Sequence, residues 1–329
     1  MQMTDMPLVS VVTVYYNREA YVDEAIESLL AQTYPHLEII AVDDGSTDGT
    51  LKALKRFDDP RYRVVSKPNS GFTDAVNVGI QAGGGAMVAI HGSGDISYPD
   101  RIAQQAALMQ ARSEVGLVGC HVAIEQSVGA PHKIRARQKH APLKDTISRS
   151  NPFTHGEVMF RRALYDRVGG YRPFFQYAQD RDLWVRMARY ADYDIVPETL
   201  YTRRKLADGV AVNPTKLLMQ AYFSDFAIQC GDSVDMHGRD LLDKHGPKAA
   251  FLRKPSKALS KKLSGYAMQW MHRGEPDAAN MLMEAALKEG RLPSTLLKHA
   301  LCHLYQWPSV WRLCVTPVLE RYNMLRPHL

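Results

Sequence analysis

The sequence predicts an α/β fold, a doubly wound and largely parallel sheet followed by an all-helical extension. Three observations carry this. From residue 8 to about residue 100, short β-branched runs alternate with stretches of helical spacing, the pitch of strand–helix–strand units. The run Leu37-Glu38-Ile39-Ile40-Ala41-Val42 leads directly into Asp43-Asp44-Gly45-Ser46-Thr47-Asp48-Gly49-Thr50, a strand ending in paired carboxylates, glycine and small hydroxyls. Open α/β sheets hold nucleotides at that carboxyl edge. Strand signals stop near Asn213-Pro214, so the chain divides into residues 1–213 and 214–329.

Taken in order, residues 8–16 are β-branched and aromatic and read as a buried strand, with Asn17 as the N-cap of the first helix. Residues 19–31 place Ala20, Ala25, Ile26, Leu29 and Leu30 at helical spacing. Residues 37–42 form the second strand, and Thr47 or Asp48 caps a helix with Leu51, Leu54 and Phe57. Residues 62–65 are a third strand, 72–81 a helix and 86–90 a fourth strand. Residues 101–112 read as helix and 115–124 as strand. Residues 126–150 are polar and basic and read as an irregular loop beside a substrate. Residues 161–168 and 180–190 read as helices. In the extension, residues 262–273 and 275–288 flank Gly274 with the small-residue spacing of one tetratricopeptide-like hairpin, read as a helical cap on the first domain.

A chain of 329 residues with 45% hydrophobic content supports one large packed domain plus a smaller one. The formal charge of +6, from 41 basic and 35 acidic side chains, suits an anionic small substrate or an anionic membrane surface. It is too weak to argue for nucleic acid. Cys120, Cys230, Cys302 and Cys314 are scattered without metal spacing. With no leader at the N-terminus they read as reduced thiols of a cytoplasmic protein. No stretch approaches the roughly 20 apolar residues that span a membrane. Near the end, Leu304, Tyr305, Trp307, Val310, Trp311, Leu313 and Val315 interleave with Arg312 and Arg321. That pattern fits peripheral docking on the inner face of the cytoplasmic membrane and fits a core-packing helix equally well.

The paired carboxylates Asp43 and Asp44 suit hydrogen bonds from a base N–H and ribose hydroxyls. They are poorly suited to a phosphate, which needs N–H groups and cations. Four further elements line up: the strand through Val14 to Asn17; the turn Asn69-Ser70-Gly71 with Ala75-x-Asn77-x-Gly79-Ile80; the run Asp95-Ile96-Ser97-Tyr98-Pro99-Asp100-Arg101-Ile102; and the segment from Asn151-Pro152-Phe153-Thr154-His155 to Gln179-Asp180-Arg181-Asp182-Leu183-Trp184. In this order, over about residues 8–205, they closely resemble the family 2 glycosyltransferases with the GT-A fold.

The resemblance implies an inverting transferase that moves a sugar from a UDP- or dTDP-linked donor to a saccharide or lipid-linked acceptor, in bacterial surface-polysaccharide synthesis. It puts Asp44 on the base or ribose and Val14 and Tyr16 against the nucleotide, chiefly through backbone. Asn69, Gly71 and Asn77 fall beside the same ligand. It makes Asp180 the catalytic base, which takes the acceptor hydroxyl's proton as that oxygen attacks the anomeric carbon. His155, Asp182 and Trp184 fall on the acceptor side, Asp182 also reading as a brace or an arginine partner. Residue 179, often Glu in the family, is Gln here, and residue 76, often Arg, is Val.

One departure is serious. The family's metal-holding Asp-x-Asp is replaced in His91-Gly92-Ser93-Gly94-Asp95, where glycine stands at both positions and Asp95 survives. Mg²⁺ or Mn²⁺ wants carboxylate oxygens. Three readings are open. The diphosphate is held without metal by Gly92, Ser93, Gly94, Asp95 and the charges of Arg203, Arg204 and Lys205; or His91 and Asp95 recruit a metal in a changed geometry; or catalysis is lost and a silent sugar-nucleotide-binding protein remains. The first is favoured because Asp44, Asp180, Trp184 and the His155 segment are intact. A dehydrogenase or a nucleotidyltransferase is disfavoured, since no glycine-rich phosphate turn comes after the first strand.

Overall fold

The computed structural model describes residues 6–125, 132–206 and 209–304. The chain forms two compact units, Met1–Leu206 and Ala207–Leu329. In the first unit, β1 (Val9–Tyr15) is buried along its whole length. After a 3-10 turn come α1 (Val22–Leu30), β2 (Leu37–Asp44), α2 (Thr50–Leu54) and β3 (Tyr62–Lys67). Next in the chain are α3 (Phe72–Ala82), β4 (Met87–Gly92), β5 (Ile96–Ser97), α4 (Arg101–Ala111) and β6 (Val115–Glu125). The unit closes with β7 (Lys133–Arg135), α5 (Leu143–Arg149), β8 (Met159–Arg161), α6 (Arg162–Arg167), α7 (Gln179–Met187) and β9 (Asp192–Arg204).

The nine strands form one sheet in the order β3-β2-β1-β4-β8-β6-β9-β5, with β7 on β6. β1 to β4 are mutually parallel. Beyond them β8 runs antiparallel to β4 and β6, β9 returns parallel to β6, and β5 and β7 pair antiparallel at its margins. The fold is the expected α/β class, with parallel pairing concentrated in its first half. Helices cover both faces, which is why β1 and β2 read as unbroken apolar runs. Val12, Val14 and Val42 pack with α3 and with Trp184 of α7, while Val9, Val11 and Ile39 pack with Ile102 and Met109 of α4.

Three expectations change. Asn17 is not a helix cap: it takes φ +52°, and its Oδ1 accepts Thr47 N at 2.8 Å, tying the end of β1 to the acidic loop. Left-handed φ favours Asn among non-glycines. Residues 126–150 are not wholly irregular, since β7 and α5 lie within them. β9, the thirteen-residue strand that ends the sheet, carried no strand reading at all. It holds Pro197 and Glu198 mid-strand and pairs with β6 through register shifts, and a bulged strand loses the two-residue period that betrays it.

In the second unit, α8 (Pro214–His237) starts on Asn213, whose side chain accepts Lys216 N, with proline in the first turn. After it come α9 (Leu241–His245), α10 (Lys257–His272), α11 (Pro276–Glu289) and α12 (Pro293–Leu304). α10 and α11 form a hairpin that turns at Gly274, φ +81°, and share a core with Leu263, Ala267, Leu282 and Ala286. No described helix is long and apolar enough to cross a membrane. The aromatic and basic segment from Tyr305 onward, with Cys314, lies outside the described residues.

Gly79 marks how closely α3 sits on the sheet. A Cβ there would lie 2.5 Å from Val12 Cγ1 and 2.9 Å from Val42 Cγ2. Helix propensity favours alanine over glycine by about 1 kcal/mol, but overpacking a filled core costs about 1–3 kcal/mol. Gly79→Ala is therefore expected to lower stability, read as a decrease in urea midpoint; an increase would mean that α3 shifts freely.

Candidate active site

The carboxyl ends of β1, β2 and β4 meet in three loops. The acidic loop is built by its own backbone. Asp44 is buried, and its Oδ1 accepts Lys67 Nζ at 2.6 Å and Ser70 N at 3.0 Å while Oδ2 accepts Gly71 N at 2.9 Å. Asn69 Nδ2 donates to Asp44 O at 2.9 Å. Gly45 turns at φ +72°, where a Cβ would lie 2.5 Å from Asn69 N. Asp44 therefore draws the 69–71 turn against the end of β2. Asp43, also buried, accepts Ser46 N and Ser66 Oγ. Val14 is core, and the exposed residue past the end of β1 is Tyr16.

The glycine loop closes on Tyr201 of β9. The Tyr201 hydroxyl donates to Asp95 Oδ2 at 2.7 Å and accepts Gly92 N at 2.9 Å, while Arg204 N donates to Asp95 Oδ1 at 2.9 Å. Burial pushes the Asp95 carboxyl up, opposed by these hydrogen bonds and by the charges of Arg203 and Arg204. His91 is buried between two partners, with Nδ1 3.1 Å from Ser97 Oγ and Nε2 3.1 Å from the Asp95 carbonyl oxygen. A carbonyl only accepts, so Nε2 carries the proton and Nδ1 takes the serine hydroxyl. Burial, then the Arg101 charge, pull the His91 pKa down to about 3. Arg101 lies beneath, wholly buried, donating to Ile90 O and Ser97 Oγ.

These residues do not fit a hard divalent cation. A Cβ at Gly92 would lie 2.4 Å from Asp95 Oδ2, and Gly94, at φ +104°, faces Tyr21 Cβ at 3.2 Å. Carboxylates at either position would need the loop to move. The neutral ring of His91 has no lone pair to spare, and among the described residues no three His, Cys, Asp or Glu side chains stand together as a metal site.

Asp180 lies in the first turn of α7, where the helix dipole favours an anion. Its Oδ2 accepts Asn151 Nδ2 at 2.7 Å, the residue is partly exposed, and Oδ1 has no partner among the described residues. His155 stands beside it, its Nε2 2.7 Å from the Tyr171 hydroxyl and its ring edge-on to Phe72. Burial pulls the His155 pKa down, against the Asp180 charge. Asp182, two residues on, is buried and gripped by Arg172 and Arg186.

Three residues expected at the ligand are otherwise employed. Trp184 is fully buried among Phe153, Phe160 and His155 and supports the floor. Both ends of the Asn77 amide are spent, Oδ1 on Tyr165 Oη and Tyr171 N, Nδ2 on Tyr171 O. Arg204 is ion-paired to Glu24 and Glu125. The Arg203 side chain has no hydrogen bond or ion pair among the described residues, and its charge reaches Asp95. Lys67 and Tyr201 were missed, and Asn151 was read only as part of its motif, with no role. Only their register or their partners reveal them, because no local pattern marks a lysine that will meet a carboxylate on the next strand.

The profile of glycosyl transferase family 2 matches residues 10–169. The chain is 30% identical over 217 residues to a putative glycosyltransferase, EpsE, of Bacillus subtilis, covering 63% of this chain and 76% of that protein. It is 40% identical over 110 residues to a putative teichuronic acid biosynthesis glycosyltransferase, TuaG, of the same organism, covering 32% and 44%. Its fold is similar to that of a mannosyltransferase from Pyrobaculum calidifontis solved with GDP-Man and Mn²⁺, with a TM-score of 0.57 at 20% identity over 98% of this chain and 85% of that one.

The buried His91 makes stability pH-dependent with a definite sign. Its folded pKa of about 3 lies below the unfolded value of 6.5, so the unfolded chain takes the proton first. Stability then falls as pH drops below about 6.5, at up to about 1.4 kcal/mol per pH unit, and His155 pulls the same way. The urea midpoint of His91→Gln should decline less steeply than that of the unaltered protein between about pH 7 and about pH 5.5, a range above the ordinary carboxylates. Parallel slopes would show that His91 is free to protonate in the folded state.

Proposed function

The chain belongs to glycosyl transferase family 2, and we propose that it transfers a sugar, with inversion, from a UDP- or dTDP-linked donor to an acceptor hydroxyl. The observation that carries this reading is the state of Asp180: one carboxylate oxygen fixed by Asn151, the other open, at a helix start. In a direct displacement the acceptor oxygen attacks the anomeric carbon as the bond from that carbon to the diphosphate oxygen breaks. The acceptor proton passes to Asp180, and the nucleoside diphosphate leaves. On the donor side, the N–H groups of Ser93 and Gly94 and the Arg203 guanidinium hold the diphosphate in place of a metal. Asp43, Asp44, Asn69 and Gly71 shape the nucleotide end.

The setting we infer is bacterial surface-polysaccharide assembly, in the cytoplasm or at the inner face of its membrane, on a saccharide or lipid-linked acceptor. The likeness to a teichuronic acid biosynthesis protein supports the polysaccharide. The aromatic and basic sequence after residue 304 supports the membrane contact. The glycines at 92 and 94 favour a second reading, a silent protein that binds sugar nucleotides without turnover.

Asp180→Asn should lower transfer by about 10²–10⁴-fold, the usual worth of a general base, and leave nucleotide affinity unchanged; loss of both would make Asp180 structural. Calorimetric titration with UDP, dTDP and GDP, each with Mn²⁺ and with EDTA, should give equal affinities under the two conditions for the preferred nucleotide. Binding that requires Mn²⁺ would overturn the metal-free diphosphate site. Absence of nucleotide binding would overturn the transferase, and binding without turnover on any donor would favour the silent protein.

A further inference from the structure

Beyond the donor loops, a cavity of about 250 Å³ opens between the segment from Arg135 to His140 and the segment from Ser150 to Pro152, floored by Tyr193 and Ile195. None of residues 43–50 or 91–95 lines it, so it is separate from the nucleotide end. It is smaller than the roughly 300–1,000 Å³ of sites for drug-sized ligands, room for a sugar ring or its substituent and too little for a nucleotide. Its wall includes Asn151, the residue that holds Asp180. Whatever fills the cavity therefore lies one side chain from the base.

Two arginines line it, and they differ. Arg137 is committed: its side chain is buried, Nη2 donates to Thr154 Oγ1 at 3.0 Å and Nε lies 3.7 Å from Glu157 Oε1. Arg135 is half-buried with no hydrogen bond or ion pair among the described residues. Burial first, then the Arg137 charge, pull its pKa down to about 10, with the Arg203 charge adding to the fall and the Glu157 carboxylate opposing it. In register, Arg135 and Tyr201 flank Val122 of β6 from opposite sides, and Arg203 pairs with the next same-face residue, Ile124. Paired positions share a face of the sheet, so Arg135, Tyr201 and Arg203 project from the same face, and of the three Arg135 lines the cavity. A partly desolvated guanidinium beside two like charges is costly to keep unpaired, and its planar fork matches a carboxylate or a phosphate.

We propose that this cavity receives a negatively charged substituent of the acceptor, a carboxylate or phosphate on the sugar, with Arg135 as the residue that recognises it. The proposal rests on the transferase reading and adds the acceptor's chemical class. Arg135 reads the anion, Arg137 and Glu157 hold the wall, and Asn151 joins that wall to the base.

The test is ligand-observed saturation-transfer NMR on the full chain loaded with UDP, using glucuronate, glucose 6-phosphate and glucose as probes. At least one anionic sugar should bind tenfold or more tightly than glucose, and the two anionic arms distinguish a carboxylate from a phosphate substituent. Arg135→Gln should reduce the preferred anionic sugar to the glucose level, Arg135→Lys should keep part of the preference, and both variants should bind UDP as before. Equal binding of glucose, no binding of either anionic sugar, or an Arg135→Gln variant that still prefers the anion would overturn the proposal. So would weakened UDP binding in that variant, which would move Arg135 to the donor diphosphate. If the unaltered chain does not bind UDP, dTDP or GDP takes its place, and the transferase reading falls when none of the three binds; if a nucleotide binds and no anionic preference appears, this proposal falls alone.

Discussion

The Tyr201 hydroxyl is the point on which the donor side of the site depends. It stands between the end of β4, the 155–157 turn and the start of the glycine loop, donating to Asp95 and accepting Gly92 N. Space around it is so limited that a Cβ on Gly156 would lie 2.1 Å from the hydroxyl oxygen. Beneath it, the Arg101 guanidinium lies 4.9 Å from the ring centroid and His91 packs edge-on. Tyr201, His91 and Arg101 are buried, and leaving a buried polar group unpaired costs about 1–3 kcal/mol. The clasp therefore sets one arrangement of the loop rather than several.

The missing carboxylates are a consequence of that clasp. A side chain at residue 92 would displace Asp95 from Tyr201, and one at residue 94 would have to adopt a left-handed backbone against Tyr21. Glycine at 92 and 94, tyrosine at 201 and an inward-turned Asp95 are one structural solution, which trades a cation-holding loop for one locked by hydrogen bonds from a hydroxyl and a backbone N–H. Neutral His91 belongs to the same solution, because a charged imidazole beside buried Arg101 would repel it.

What could be read from the sequence depended on whether the signal was local. The strand that runs into Asp43 and Asp44, the helix at α3 and the carboxylate opening α7 each carry their pattern within a dozen residues. β9 does not, because Pro197, Glu198 and the register shifts against β6 erase its alternation. Tyr201, on that strand, looks from sequence like one more core aromatic. Asn77 and Trp184 were misplaced for the converse reason. A family motif fixes residue type, but the Asn77 amide is claimed by Tyr165 and Tyr171, about ninety residues away, and the Trp184 indole is enclosed by Phe153, His155 and Phe160. Arg204 looked as available as Arg203 until Glu24 and Glu125 claimed it.

Counting acceptor capacity sets Asp180 apart from the other carboxylates. An ionised carboxylate that must take a proton from substrate needs an oxygen free of stronger commitments. Asp44 spends both oxygens on Lys67, Ser70 and Gly71; Asp95 on Tyr201 and Arg204 N; Asp182 on two guanidiniums; Asp43 on Ser46 and Ser66. Asp180 spends one oxygen on Asn151, a neutral donor that orients it without neutralising it, and remains partly open to solvent. A guanidinium in the place of Asn151 would have made Asp180 a weaker base. The proposal of Asp180 as the base thus rests on the neutrality of its one partner as much as on the motif that contains it.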